Sequence, residues 1–169
     1  MDKKLSILLP VFNEKESLAI FVRLLKSSIN FENEILIIYD NENDNSVDVA
    51  KKLETELPNV KAIHNDNNKG VRFAIEKGVK ESKYEIILIT AVDEIFPILA
   101  IENMIKLITE KNNDFVSGTR YAKGGLRLGG SLLASILSRL ANKLFVILAK
   151  FPLSDCTTGI KMMKKEVWN

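Results

Sequence analysis

Apolar positions along this chain fall into two alternating patterns: short continuous runs, and stripes at helical spacing. Leu5-Ser6-Ile7-Leu8-Leu9-Pro10-Val11 is a run of the first kind. Its nearly unbroken apolar character predicts a strand buried on both faces, as in a parallel sheet. Leu18, Phe21, Leu24 and Leu25 then share one helical face. Residues 34–39 predict a second strand, 47–53 a short helix and 60–64 a third strand. A polar turn over 65–70 leads into a helix over 71–81, and 84–89 predicts the fourth strand. Pro97 stands where a first helical turn tolerates proline, with the helix continuing over 98–108. A short fifth strand over 114–117, a glycine-rich basic stretch over 121–130, a long amphipathic helix over 131–151 and a last strand within 159–163 complete the order.

Strands alternating with helices imply right-handed βαβ units and a parallel sheet covered on both faces, so the predicted class is α/β. Ligands of such sheets sit beyond the carboxyl ends of the strands. The chain contains no internal repeat.

Its 169 residues suit one domain. A chain of this size buries roughly 70% of its unfolded surface. With 24 basic and 22 acidic residues the net charge is +2, too balanced for a nucleic-acid partner. Cys156 is the single cysteine, so no internal disulfide ties the chain to an oxidising compartment. The apolar run before Pro10 is too short for a membrane span and no cleavage site follows it, which gives a cytoplasmic expectation. The last residues read as the start of a helix, so a truncated C-terminus is part of the expectation.

Each strand end carries polar chemistry. Pro10-Val11-Phe12-Asn13-Glu14 follows the first strand, Asp40-Asn41-Glu42-Asn43-Asp44 the second and Asn68-Lys69-Gly70 the third. Ala91-Val92-Asp93-Glu94 follows the fourth and Gly118-Thr119-Arg120-Tyr121 the fifth. A nucleoside-diphosphate sugar needs such a set: carboxylates for the base, ribose and a metal, and an arginine fork for phosphate. Polar residues also end strands in any exposed loop, so only the order of these clusters carries weight.

That order resembles the inverting glycosyltransferase family that includes dolichyl-phosphate mannose synthases and bacterial polyprenyl-phosphate sugar transferases. Ser6 to Glu14 is similar to its first strand and nucleotide loop, and Tyr39 to Ser46 lies where the family has Asp-Asp-Gly-Ser-Thr-Asp. Asn68-Lys69-Gly70-Val71-Arg72-Phe73-Ala74 is similar to its Asn-x-Gly-x-x-x-Ala. Ser117-Gly118-Thr119-Arg120-Tyr121 resembles Gly-Ser-Arg-Tyr, and Asp155-Cys156-Thr157-Thr158-Gly159-Ile160 resembles Asp-x-x-Ser-Gly-Phe. Two departures stand out. Tyr39 replaces the first Asp of the second-strand loop, and Ala91 replaces the first Asp of the metal motif Asp-x-Asp, leaving Asp93 followed by Glu94.

The resemblance implies a single GT-A (Rossmann-like) domain over 1–169, a three-layer α/β/α fold with a mostly parallel sheet. It implies sugar transfer with inversion from a UDP- or GDP-sugar, to an acceptor such as a polyprenyl or dolichyl phosphate, in glycolipid or polysaccharide assembly. Pro10, Phe12, Glu14, Asp40 and Gly70 become the nucleotide-binding set. Asp93 becomes the ligand of a divalent metal (Mg or Mn), and Asp93 with Arg120 the catalytic pair. Arg127, Ser138, Arg139 and Asp155 fall on the acceptor side.

Plainer readings stay open beside these. Asp40 also suits an Asx turn and Glu14 a helix N-terminus, and Asp155, read as orienting the acceptor side or bracing Arg120, equally suits a helix or turn cap. Lys69 and Arg72 read as solvated charges, His64 as a strand end, Cys156 as packing. The 131–151 helix sets Leu133, Leu137, Leu140 and Leu144 against Arg139, Lys143 and Lys150. Mid-segment charges argue against a span, leaving a core or dimer helix, or one lying in a bilayer interface. A lipid-phosphate acceptor is already an anionic nucleophile and needs no strong base. A degenerate binder without catalysis is the alternative, motivated by Ala91 and Tyr39. A sugar nucleotidyltransferase would want glycine in the loop after the first strand, which has none.

Overall fold

The structure, a computed structural model, describes residues 2–121, 132–148 and 153–168. Its order is β1 (Leu5–Val11), α1 (Lys15–Ser28), β2 (Asn33–Tyr39), α2 (Val47–Glu56), β3 (Val60–His64), α3 (Val71–Glu81) and β4 (Ile86–Ile89). A 3₁₀ turn (Phe96–Ala100), α4 (Ile101–Thr109), β5 (Phe115–Ser117), α5 (Leu132–Leu148), β6 (Lys161–Lys164) and a closing 3₁₀ turn (Lys165–Trp168) follow. One sheet runs β3-β2-β1-β4-β6-β5. β1 pairs in parallel with β2 and β4, and β2 with β3, whereas β6 lies antiparallel to both β4 and β5.

Alternation along the strands makes the layers. Leu5, Ile7 and Leu9 of β1 join Ile35 and Ile37 of β2 under α1, α2 and α4, where Phe21, Leu53 and Ile105 are buried. Leu8, Leu36 and Ile38 face the other way, onto Ala74 and Val79 of α3. Gly78 lets α3 approach closely: a Cβ there would lie 3.0 Å from Ile38 Cδ1 and 3.1 Å from Leu8 Cδ2. Both faces being covered, the sheet is the middle of an α/β/α sandwich, as the alternating pattern predicts.

The structure departs from the sequence reading at several points. The fourth strand begins at Ile86 rather than at 84, because the Tyr84 N–H donates to Ser6 Oγ at 3.1 Å. Pro97 sits in the 3₁₀ turn, and α4 proper starts at Ile101. α5 turns Ile136, Leu140, Leu144 and Ile147 to solvent instead of to the core, whose two sheet faces are already covered by the other helices. Among the described residues no helix is long and apolar enough to cross a membrane. The glycine-rich stretch with Arg127, and the expected helix ends at 131 and 149–151, lie outside the described residues.

Candidate active site

β1 and β2 leave the sheet in register, Val11 beside Tyr39, so their following loops emerge side by side at the carboxyl edge. Together with the loop after β4 and the start of α3, they enclose a cleft of about 490 Å³. All five residues of the predicted nucleotide set line it, Pro10, Phe12, Glu14, Asp40 and Gly70, and so does Asp93. Phe12 leaves 74% of its surface exposed at the rim, an unshielded aromatic face. Lys69 also lines the cleft, whereas Arg72 pairs with Glu76 one turn along α3.

Asp40 has a structural duty that the sequence did not reveal. Its Oδ1 accepts from Asn65 Nδ2 at 2.7 Å and its Oδ2 from the Gly70 N–H at 2.7 Å. The buried Asn65 amide also donates to Asn68 O at 2.9 Å, so Asp40 and Asn65 jointly hold the turn that leads to α3. Each carboxylate oxygen still has a second lone pair for a ligand. Gly70 takes φ +115°, and a Cβ built on it meets nothing within 4 Å. The glycine is therefore needed for its backbone and not for space. Gly70→Ala should cost about 1–2 kcal/mol in thermal unfolding, because the turn needs its positive φ.

In the loop after β4, Val92 is buried and anchors the segment, while Asp93 stands exposed on the cleft. Glu94 diverges from it: a Cβ on Gly159 would lie 3.0 Å from Glu94 Oε2. Among the described residues no three acidic, histidine or cysteine groups come together as a metal cage. One exposed carboxylate on the cleft fits a Mg²⁺-like ion that takes its remaining ligands from phosphate oxygens and water.

Arg120 does not line this cleft. It lies just beyond β5 and is held by Asp155, which is 1% exposed. Arg120 Nε donates to Asp155 Oδ2 at 2.8 Å, Nη2 to Oδ1 at 2.9 Å, and the Arg120 N–H to Oδ2 at 3.1 Å. Thr157 adds its N–H and hydroxyl to Oδ1 at 3.1 and 3.0 Å, and its hydroxyl also accepts from Arg120 Nη2. Burial alone would raise the Asp155 carboxyl pKa. The hydrogen bonds from Arg120 and Thr157 outweigh it and hold the group at about 2. Asp155 thus braces Arg120 and at the same time caps its own turn through the Thr157 N–H.

Two cations approach the ring of Tyr121, Arg120 at 5.4 Å and Arg139 at 5.5 Å, and its hydroxyl meets Ser138 Oγ at 2.6 Å. Arg139 and Lys143 line a second hollow of about 520 Å³ with Tyr121 and Ser154. Cys156 is held by Asn142 through both its N–H and its thiol, in line with packing. His64 stacks on Tyr39 at 5.4 Å with Nδ1 3.6 Å from Glu42, a closer engagement than a bare strand end.

A family model described as Glycosyl transferase family 2 matches residues 6–169. The dolichol-phosphate mannosyltransferase of Pyrococcus furiosus is 28% identical over 167 residues, 97% of this chain and 47% of that protein. Among solved structures, glucosyl-3-phosphoglycerate synthase from Mycobacterium tuberculosis in complex with Mn²⁺ and UDP-glucose superposes with a TM-score of 0.71 at 16% identity. That match covers 97% of this chain and 57% of the other. A mannosyltransferase from Pyrobaculum calidifontis in complex with GDP-mannose and Mn²⁺ gives a TM-score of 0.68 at 13% identity over 96% and 45%. The chain thus spans about half the length of the relatives it matches.

Proposed function

The chain belongs to glycosyl transferase family 2, and from that premise we propose that it transfers a sugar, with inversion, from a nucleoside-diphosphate sugar bound in the cleft at the carboxyl edge of the sheet. The observation that carries this reading is the convergence of Pro10, Phe12, Glu14, Asp40, Gly70 and Asp93 on one cleft. Phe12 offers a face for the base to stack on, and Glu14 and Asp40 offer acceptors for base N–H and ribose hydroxyls. The N-terminus of α3 opens behind Gly70 and favours the diphosphate. Asp93 would hold a divalent ion, which supplies charge stabilisation for the departing nucleoside diphosphate.

Acceptor chemistry belongs to the neighbouring cations. Arg120 presents the edge of its guanidinium not engaged by Asp155, and Arg139 and Lys143 line the adjoining hollow. That set suits an acceptor that carries its own phosphate. On α5, Arg139 and Lys143 lie among exposed leucines, chemistry that suits the interface of an anionic bilayer and hence a polyprenyl phosphate. Such an acceptor attacks the anomeric carbon as an anion and asks no base of the chain.

Calorimetry with UDP and GDP, with and without Mn²⁺, tests the reading. Nucleotide binding should tighten at least tenfold with the metal (about 1.4 kcal/mol), and transfer to a short polyprenyl phosphate should follow. Binding that ignores metal, with no transfer from UDP-glucose or GDP-mannose, would favour the non-catalytic binder that Ala91 and Tyr39 motivate.

A further inference from the structure

α1 and α2 each begin without a side-chain cap of their own. Glu14 precedes α1 and makes no side-chain cap bond to it. Ser46 precedes α2, where a serine ordinarily caps its own helix, yet it too makes none. At the start of α1 the bonds come instead from across the sheet edge. Asp44 accepts the Asn13 N–H with both oxygens at 3.1 and 3.0 Å, Ser46 Oγ accepts the Glu14 N–H at 2.8 Å, and Asn45 Oδ1 accepts the Lys15 N–H at 3.2 Å. Three successive amides of the first loop therefore end on three successive side chains of the second.

The conformation of the loop fits this strap. Asn13 takes φ +60°, a left-handed position that asparagine tolerates better than most residues. Asp44 is 8% exposed and Ser46 0%, so the strap is shielded from water. Asp44 also accepts the Ser46 N–H at 2.8 Å, which links the two ends of the strap. Burial raises the Asp44 pKa, but the hydrogen bonds from Ser46 and the Asn13 amide outweigh it, and the carboxyl stays below its ordinary value. Neither Asp44 nor Ser46 lines the cleft, whereas Phe12 and Glu14, on either side of the strapped Asn13, both do.

We propose that Asp44 and Ser46 are positioning residues of the nucleotide site, fixing Phe12 and Glu14 on the cleft wall by holding the amides of Asn13 and Glu14. The proposal rests on the nucleotide reading of that cleft. α1 itself is secured by its buried Leu18, Phe21, Val22 and Leu25, so loss of the strap loosens the loop more than the helix. Because a fixed wall serves ground state and transition state alike, its loss appears as weaker donor binding and not as slower chemistry.

The test uses Asp44→Ala, Asp44→Asn and Ser46→Ala in the whole chain. Site-resolved amide exchange should quicken at Asn13 in Asp44→Ala and at Glu14 in Ser46→Ala. In Mn²⁺, the Kd for UDP or GDP should rise about tenfold in both alanine variants. In hydrolysis of the donor, KM should rise with kcat kept within about twofold. Asp44→Asn retains one acceptor oxygen and should recover part of the affinity, which a residue acting only on overall stability would not do. Should Asp44→Ala fail to fold, Ser46→Ala decides, since its hydroxyl caps no helix of its own. Faster exchange with unchanged Kd overturns the positioning role, and unchanged exchange overturns the strap. If the unaltered protein binds neither UDP nor GDP, the nucleotide reading has failed and the proposal with it. If it binds and the variants match it, the proposal alone has failed.

Discussion

Asp93→Asn should leave the fold intact and lower sugar transfer by about a hundred- to a thousandfold, the usual cost of removing one group that faces developing charge. The stability half of this expectation follows from exposure. Asp93 lines the cleft with its carboxylate open to solvent, anchored only through its buried neighbour Val92. Surface substitutions of that kind change stability by about 0.5 kcal/mol or less. The catalytic half follows from Ala91. With that position apolar, no second carboxylate of the segment can take over, since Glu94 is turned towards Gly159. Asparagine keeps the shape and one oxygen but loses the charge. Nucleotide binding should therefore lose its Mn²⁺ dependence together with turnover, and both are read from calorimetry and a donor-consumption assay. Glu94→Gln is the control, expected to keep metal-dependent binding. Wild-type turnover in Asp93→Asn would remove Asp93 from the chemistry.

What could be read in the sequence was what depends on neighbours along the chain. The unbroken apolar runs of β1 and β2 announced strands buried on both faces, and the stripe in α3 announced a helix over the residues where it occurs. The residues of the cleft were legible for the same reason, because each stands at or shortly after the end of a strand or, as with Gly70, just before a helix. The parallel direction of the first strands was legible too, but the direction of the last strand and the long-range partnerships were not. Nothing in Lys161-Met162-Met163-Lys164 says that β6 runs antiparallel and inserts between β4 and β5, since period-2 patterning carries no orientation. Asp40 read as a ligand for the base, but its bonds to Asn65 and Gly70 span 25 and 30 residues and exist only once β2 and β3 pair. Ser46 misleads in a more specific way. A serine before a helix predicts a local cap, and only the in-register exit of β1 and β2 hands its hydroxyl to the other helix.

The second large effect is expected at Asp155. Asp155→Ala removes the acceptor of three Arg120 hydrogen bonds and two from Thr157, all at a site that is 1% exposed. Truncating one member of a buried pair costs about 3–5 kcal/mol when the partner stays buried and uncompensated. The Arg120 side chain keeps 27% of its surface in water, so the freed guanidinium can rehydrate and the expected loss is nearer to about 2–3 kcal/mol. The acid limb gives an independent check. The folded carboxyl titrates at about 2 against an ordinary 3.8, so its contribution is complete above the ordinary value and is lost as pH falls towards 2. Urea melts of the unaltered chain should weaken by about 2 kcal/mol from this group between those two values, and Asp155→Asn should lack that component. Transfer separates the brace from a merely structural pair. Arg120→Lys keeps the charge but not the two-pronged geometry, and should transfer at about a tenth of the normal rate or less. If Asp155→Ala is destabilised yet transfers normally at a temperature where it is folded, the guanidinium needs no brace to act. If Arg120→Lys also transfers normally, Arg120 belongs to the fold and not to the acceptor.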